Sequence, residues 1–182
     1  MHNSLNRRNF LRCLAVGTAL AGVAAPALAR ASVPKGQRLV AMKNLHTGEY
    51  LEANYWTDGG FRPDVLQQIN EFLRDHRTGD VHFIDTGLLD QMYLLQRETR
   101  VERPFEIISG YRSPATNANL RQSSSGVARK SLHMQGKAMD IRLPGVRLSK
   151  LRDTALSMKA GGVGYYPKSD FIHIDTGRIR TW

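Results

Sequence analysis

The stretch SLHMQGKAMDI, Ser131 to Ile141, decides how this chain folds and which chemistry it can carry. It places His133 and Asp140 seven residues apart, with Gly136 between them and apolar residues on both sides of the aspartate. An ionised carboxylate among apolar side chains is costly unless a positive group pairs with it. The pattern therefore predicts a strand that presents Asp140 to a cation, and the candidate cation is a metal ion.

A second stretch, FIHID at residues 171–175, completes this site. Side chains alternate between the two faces of a strand, so AMDIRL (138–143) presents Asp140 on one face and residues 171–175 present His173 on one face. If the two strands are neighbours, both side chains point into one cleft, and His133 approaches from the preceding loop. Two imidazoles and one carboxylate leave a fourth position open, which is typical of a catalytic zinc site. Residue types alone leave two interpretations open: Zn²⁺ bound by His133, Asp140 and His173, or hydrogen-bonded polar groups of the core.

The remaining sequence alternates between strand and helix patterns and predicts an α+β fold, a small antiparallel or mixed sheet with flanking helices. A hairpin turn is expected at Gly48. Ser113 and Ser149 are expected to be the N-caps of two helices. The predicted strands are 38–44, 49–56, 105–109, 138–143 and 171–175, with a glycine-rich strand or turn at 161–166, and the predicted helices lie within 62–77, 85–99, 113–122 and 149–160.

Residues 1–29 have the features of an export signal. A basic region is followed by the apolar run LAVGTALAGVAAPALA, and Ala27-Leu28-Ala29 is a small-x-small cleavage pattern. The segment RRNFL, beginning at Arg7, fits the twin-arginine signal of folded cargo, although an ordinary secretory signal with a chance arginine pair is the alternative. The sequence thus predicts cleavage after Ala29, a single domain over 30–182 and a periplasmic location, without stable membrane insertion after cleavage.

Charge and cysteine content narrow the chemistry further. The only cysteine, Cys13, lies in the predicted signal, so the exported part has no thiolate ligand and any metal site must use His, Asp or Glu. The net charge of +10 favours an anionic partner. Nucleic acid is not indicated, because the basic residues are scattered and no basic-aromatic motif is present. Cell wall and membrane surface are the anionic partners expected outside the cytoplasm, and a solvated basic surface without a partner is the alternative.

Several motifs together resemble a known enzyme family. Three motifs are similar to those of the zinc peptidases of the D-alanyl-D-alanine carboxypeptidase group: SxHxxGxAxD (131–140), DxxH (170–173) and SGYRS (109–113). That group is related in fold to lysostaphin-type enzymes and the hedgehog signalling domain. The segments NLHTGE, ALSM, GGVGYYP and FIHIDTG extend the resemblance, over nearly the whole length, to periplasmic murein endopeptidases. The resemblance implies that His133, Asp140 and His173 are Zn²⁺ ligands. It also implies hydrolysis of peptide cross-links in peptidoglycan through a metal-activated water, with peptidoglycan as the partner.

The resemblance also implies roles for three further residues. Arg112 corresponds to an arginine in the substrate cleft, where it could bind a carboxylate or a developing oxyanion. The DxxH motif makes Asp170 the general base, whereas strand alternation favours Asp175, on the same face as His173. We expect Asp170 to be the base and Asp175 to orient a ligand imidazole.

Two other functions fit the same motifs. A D-alanyl carboxypeptidase would use Arg112 to bind the free carboxylate of an uncross-linked peptide. A peptidoglycan-binding protein could retain the fold without turnover, but the complete set of ligands argues against a degenerate site.

Overall fold

The computed structural model describes residues 36–124 and 126–182. The predicted signal and its cleavage site lie outside these residues. Within them, no helix combines the length and the apolar character needed to cross a membrane.

One mixed sheet and four α-helices make up the described part of the chain, which confirms the predicted α+β class. The strands are β1 (Arg38–Asn44), β2 (Tyr50–Thr57), β3 (Gly60–Phe61), β4 (Phe105–Ser109), β5 (Ala138–Arg142), β6 (Gly162–Tyr166), β7 (Phe171–Asp175) and β8 (Arg180–Thr181). The helices are α1 (Pro63–Phe72), α2 (Thr86–Thr99), α3 (Pro114–Ser123) and α4 (Leu148–Met158), and a 3₁₀ helix spans Leu132–Gln135.

The strands are ordered β3-β2-β1-β4-β5-β7-β6-β8. Two pairs, β1 with β4 and β6 with β8, are parallel, and the other neighbours are antiparallel. The predicted neighbours β5 and β7 pair directly, and Asp140 lies opposite His173 in their register. This pairing confirms that the two side chains share one face of the sheet.

Strand alternation also builds the core. Met139, Ile141, Ile172 and Ile174 are fully buried on the opposite side of β5 and β7 from the polar pair. Helix α2 packs against α4 and β1, while α4 also packs against β6 and β7. Burial of one such side chain contributes about 1.5–3 kcal/mol, so the apolar residues fix the register that brings the polar residues together.

Local signals in the sequence were confirmed at some helix ends and wrong at others. Ser113 is the N-cap of α3, and its side chain accepts a hydrogen bond from Thr116 N. Ser149 is not a cap: α4 begins at Leu148 after Arg147, which makes no side-chain cap, so Ser149 lies in the first turn. Because the helix has already begun at Leu148, the Ser149 hydroxyl is not at the N-cap position, which Arg147 occupies.

Helix α1 ends at Phe72, earlier than the predicted pattern through residue 77. The next residues form a turn in which Asp75 N donates to Asp80 O and Gly79 N donates to Asp75 O. The Asp75 side chain accepts from Arg77 N and Ser113 N, which ties this turn to the start of α3. Strands β3 and β8 were not predicted, because two residues are too few to show alternation.

Candidate metal centre

His133 reaches the site from the 3₁₀ helix that precedes β5. Ser131 caps this helix, because its hydroxyl accepts a hydrogen bond from His133 N at 3.3 Å. Gly136 ends the helix with φ +63°, and a Cβ at this position would overlap the carbonyl oxygen of Phe83. The glycine in the motif is therefore required both by backbone conformation and by the close approach of a neighbouring segment.

The three predicted ligands converge. Asp140 Oδ1 lies 2.9 Å from His173 Nδ1 and 3.3 Å from His133 Nε2, and the two imidazole nitrogens are 3.2 Å apart. Ligands at the corners of a tetrahedron around a zinc ion, with bonds of about 2.0–2.1 Å, are separated by about 3.3 Å. The three atoms therefore have nearly the spacing that a tetrahedral metal site requires.

The outer nitrogen of each imidazole has its own partner. His133 Nδ1 donates to Gly110 O at 2.8 Å, and His173 Nε2 donates to Asp175 Oδ2 at 3.1 Å. Such partners fix the tautomer and the ring orientation of metal-ligating histidines. With protons on the outer nitrogens, the inner nitrogens present lone pairs to Asp140, and three electron-pair donors this close together fit a cation between them.

The charges around the three predicted ligands also favour a cation between them. Burial raises the pKa of Asp140, but the His133 and His173 imidazoles outweigh it and hold this pKa below its ordinary value. Burial lowers the pKa of His173, yet hydrogen bonds to Asp140 and Asp175 outweigh it and raise this pKa. The carboxylates therefore stay ionised and stabilise a cation beside them, whether a proton on His173 or a metal ion.

Asp175 lies beneath the site, with no exposed surface. In addition to His173, its oxygens accept hydrogen bonds from Gly162 N at 2.9 Å and Gly177 N at 2.8 Å. Arg180 approaches both oxygens, with Nη2 to Oδ2 at 2.7 Å and Nη1 to Oδ1 at 3.1 Å. Burial raises the pKa of Asp175, but these partners, His173 first among them, lower it below its ordinary value.

Arg112 lies beside the ligands rather than on the outer surface. Its Nη2 is 3.6 Å from Asp140 Oδ2 and donates to Ser109 Oγ at 3.2 Å. Its Nε is buried and has no hydrogen-bond partner among the described residues. Arg112 lines the cavity described below, where a planar cation is suited to an anionic or carbonyl ligand.

Asp170 occupies the turn before β7, in the left-handed region at φ +53°. Its Oδ2 accepts from Arg142 Nη1 at 2.8 Å, and Arg142 also contacts Glu106. The Asp170 side chain is 63% exposed and does not line the cavity described next. Strand alternation thus brings Asp175 to the predicted ligands, whereas Asp170 lies outside the cavity lining, in an ion pair with Arg142.

A cavity of about 440 Å³ opens over the three ligands. Arg112, Lys130, Tyr166, Arg180 and Trp182 are among the side chains that line it. Of the described residues, His133, Asp140 and His173 form the one cluster of three or more potential ligands that could hold a metal ion. The predicted ligand set and the cavity therefore coincide.

Comparison with known proteins identifies the family. A family model described as peptidoglycan L,D-endopeptidase MepK matches residues 32–182. The chain belongs to this family. It is 46% identical over 177 residues to the peptidoglycan L,D-endopeptidase MepK of Escherichia coli strain K12, with 97% of each chain covered, and equally similar to that of Shigella flexneri. The Haemophilus influenzae protein, a "Probable peptidoglycan L,D-endopeptidase MepK", is 40% identical over 178 residues, 97% of this chain and 95% of its own length.

Two residues of the site were missed by the sequence analysis. Arg180, which holds Asp175, and Trp182, which lines the cavity, both follow the last predicted strand. The available signal was indirect: glycines inside a strand often mark the close approach of another group. A Cβ at Gly164 would lie 2.8 Å from the Trp182 ring, and one at Gly162 would overlap Arg180 and Asp175.

Proposed function

We propose that this chain is an exported, zinc-dependent peptidoglycan endopeptidase that hydrolyses peptide cross-links. The observation that carries the proposal is the convergence of two imidazoles and a carboxylate, within 3.3 Å of one another, at the base of a cavity. The relatives named peptidoglycan L,D-endopeptidase, which match 97% of the chain, support the same reaction.

Three side chains would hold the metal: His133 through Nε2, His173 through Nδ1 and Asp140 through Oδ1. Nitrogen and carboxylate donors without thiolates suit Zn²⁺, and three protein ligands are the number found in catalytic zinc sites. A zinc ion bound there would lower the pKa of a water molecule and polarise the carbonyl of the scissile peptide bond. Asp175 keeps the His173 ring in the required tautomer by accepting its Nε2 proton.

The contacts favour Asp170 over Asp175 as the general base. Both oxygens of Asp175 are engaged by backbone amides, Arg180 and His173, and the carboxylate has no exposed surface from which to receive a proton. Asp170 is exposed, and Arg142 engages only Oδ2, so Oδ1 lies outside the ion pair. We propose that Asp170 turns toward the cavity when substrate binds and accepts the proton of the attacking water at Oδ1.

Arg112 has the position and the charge to bind the substrate. Its guanidinium borders the cavity beside Asp140, and its buried Nε has no protein partner among the described residues. We propose that this group donates to the oxygen of the scissile carbonyl as negative charge develops on it, because a preorganised cation in a site of low dielectric stabilises that charge.

Location follows from the amino-terminal segment. We propose that residues 1–29 are a twin-arginine signal cleaved after Ala29, and that residues 30–182 act in the periplasm. Replacement of Arg7 and Arg8 by Lys should stop export and leave the longer precursor in the cytoplasm, as detected by fractionation and mass spectrometry. Normal export of this variant would refute the twin-arginine assignment and leave an ordinary secretory signal.

The activity is tested by incubation of the purified chain with cross-linked peptidoglycan, with and without a metal chelator, and mass spectrometry of the released fragments. Conversion of dimeric to monomeric muropeptides that the chelator abolishes is the expected result, and the fragment masses identify the bond. Loss of terminal alanine alone would indicate a carboxypeptidase. Binding without new fragments would indicate a wall-binding protein.

A further inference from the structure

The indole of Trp182 stands beside the metal ligands. Its ring centroid is 5.2 Å from that of His173, and both residues line the same cavity. One residue of an extended peptide spans about 3.3–3.6 Å, so a group at this distance contacts a substrate within about two residues of the bond that is cleaved. The position of Trp182 suits contact with the amino acids that flank that bond, not with a distant part of the polymer.

Several independent contacts hold this indole in place. Its Nε1 donates to Tyr166 Oη at 2.7 Å, and the Tyr166 ring is in turn stacked on Phe171 with centroids 4.7 Å apart. Its backbone pairs with β6, through Tyr165 N to Trp182 O at 3.0 Å. Gly164 provides the space for the ring, since a Cβ there would lie 2.8 Å from it.

The residue nevertheless stays partly exposed, with the Arg180 guanidinium 4.8 Å from its ring centroid. Trp182 is 49% exposed although its polar edge already has a partner in Tyr166. An aromatic side chain that is held rigidly loses little conformational entropy on binding, and tryptophan is enriched at binding hot spots for this reason. The carbon surface of an indole ring is apolar, so contact with it favours an aliphatic group on the ligand.

From this geometry we propose that Trp182 is a specificity-determining residue, which packs against the aliphatic side chain of an amino acid flanking the scissile bond. Tyr166 is a positioning residue that acts through Trp182. This inference rests on the proposed function for the identity of the substrate, a cross-linked peptide. It adds a contact that none of the predicted site residues provides.

Fluorescence gives a direct test, because Trp56 and Trp182 are the only two tryptophans of the chain. Trp56 lies on β2 and contacts Arg38 and Phe61, in a different part of the sheet from the metal ligands. In the full chain with Trp56→Phe, excitation at a wavelength that tryptophan absorbs and tyrosine does not therefore gives emission from Trp182 alone. Addition of a soluble cross-linked muropeptide to this variant, depleted of metal to prevent turnover, should change the emission saturably. The matched control, Trp182→Phe, should show no change.

Kinetics gives a second test with the metal restored. Trp182→Ala should raise KM about ten-fold and change kcat less than two-fold, because the lost contact is made equally in the ground state and the transition state. Trp182→Phe, which keeps an aromatic face, should raise KM less. If Tyr166 acts through the indole, Tyr166→Phe should have no further effect in the Trp182→Ala background.

Three results separate the possible outcomes. Unchanged emission in Trp56→Phe, together with an unchanged KM in Trp182→Ala, would overturn the proposed contact even if the parent hydrolyses cross-links. A large loss of zinc affinity in Trp182→Ala would also overturn it, because the indole would then serve to cover His173. Saturable emission with no hydrolysis by the zinc-loaded parent would support the contact and refute the proposed endopeptidase activity.

Discussion

Replacement of Asp175 by Asn should weaken zinc binding although Asp175 is not a ligand. The carboxylate accepts the Nε2 proton of His173 at 3.1 Å, which leaves Nδ1 unprotonated on the side of Asp140. An asparagine keeps the shape but can turn its NH₂ group toward Nε2. That contact favours the tautomer with its proton on Nδ1, the nitrogen that the metal needs.

The size of the effect follows from the contacts that are lost. Substitution of a group that orients a ligand histidine typically costs about 10- to 100-fold in metal affinity, or about 1.4–2.8 kcal/mol. Stability should fall as well, because Arg180 loses the charge that it contacts through two nitrogens. The Arg180 side chain is 31% exposed, so this loss should be about 2 kcal/mol, less than for a fully buried pair.

The assay is competition for zinc with a chromophoric chelator, with thermal unfolding measured in parallel. Asp90→Asn is the matched control, because Asp90 also accepts hydrogen bonds from an arginine, Arg38, and from a tyrosine hydroxyl, that of Tyr55, away from the metal ligands. Both variants should be less stable, but only Asp175→Asn should lose zinc affinity. Equal zinc affinity in Asp175→Asn and the parent would refute the orienting role and leave Asp175 a purely structural residue.

Three further results are expected. His133→Ala should abolish zinc binding and hydrolysis while circular dichroism shows a folded protein; unfolding together with a zinc-free parent would indicate a buried structural histidine. Arg112→Lys should lower kcat/KM about 100-fold without weakening zinc binding, because an ammonium lacks the planar donors of the guanidinium; activity equal to the parent would contradict this role. Asp75→Asn should cost about 2 kcal/mol at neutral pH. Burial raises the pKa of Asp75, but hydrogen bonds lower it overall, so the stabilisation by its carboxylate is present above about pH 4 and is lost on acidification. The difference in unfolding free energy between the parent and Asp75→Asn should therefore shrink below this pH, and a constant difference would contradict the assignment.

Much of the fold was predictable because local periodicity is strong in the relevant strands. The bounds of β1, β4 and β7 were predicted correctly from alternating apolar residues and flanking turns. The order of the eight strands was not predictable in this way, since alternation identifies a face and not a neighbour. The pairing of β5 with β7 was only a condition in the sequence analysis, and the candidate metal centre depends on it.

The same distinction between local pattern and distant contact applies to the residues of the candidate site. Asp140 and His173 were predicted because they lie at strand positions whose direction can be read from the sequence, and His133 because it lies in the segment that leads into the first of these strands. Arg180 lies on a two-residue strand at the sheet edge and Trp182 directly follows it, and neither was predicted because so short a strand shows no alternation. Asp170 illustrates a third case: a motif indicated its role, while its side chain lies in an ion pair with Arg142.

The central claim is that hydrolysis depends on one zinc ion bound by these three residues. The most direct measurement is titration of the metal-depleted chain with zinc, with cleavage of a cross-linked muropeptide followed at each addition. Activity should be absent at the start, rise in proportion to bound zinc, and reach its maximum at one zinc per chain, with no rise in His173→Ala. Full cleavage by the metal-depleted chain, or restoration of activity in His173→Ala, would contradict the account.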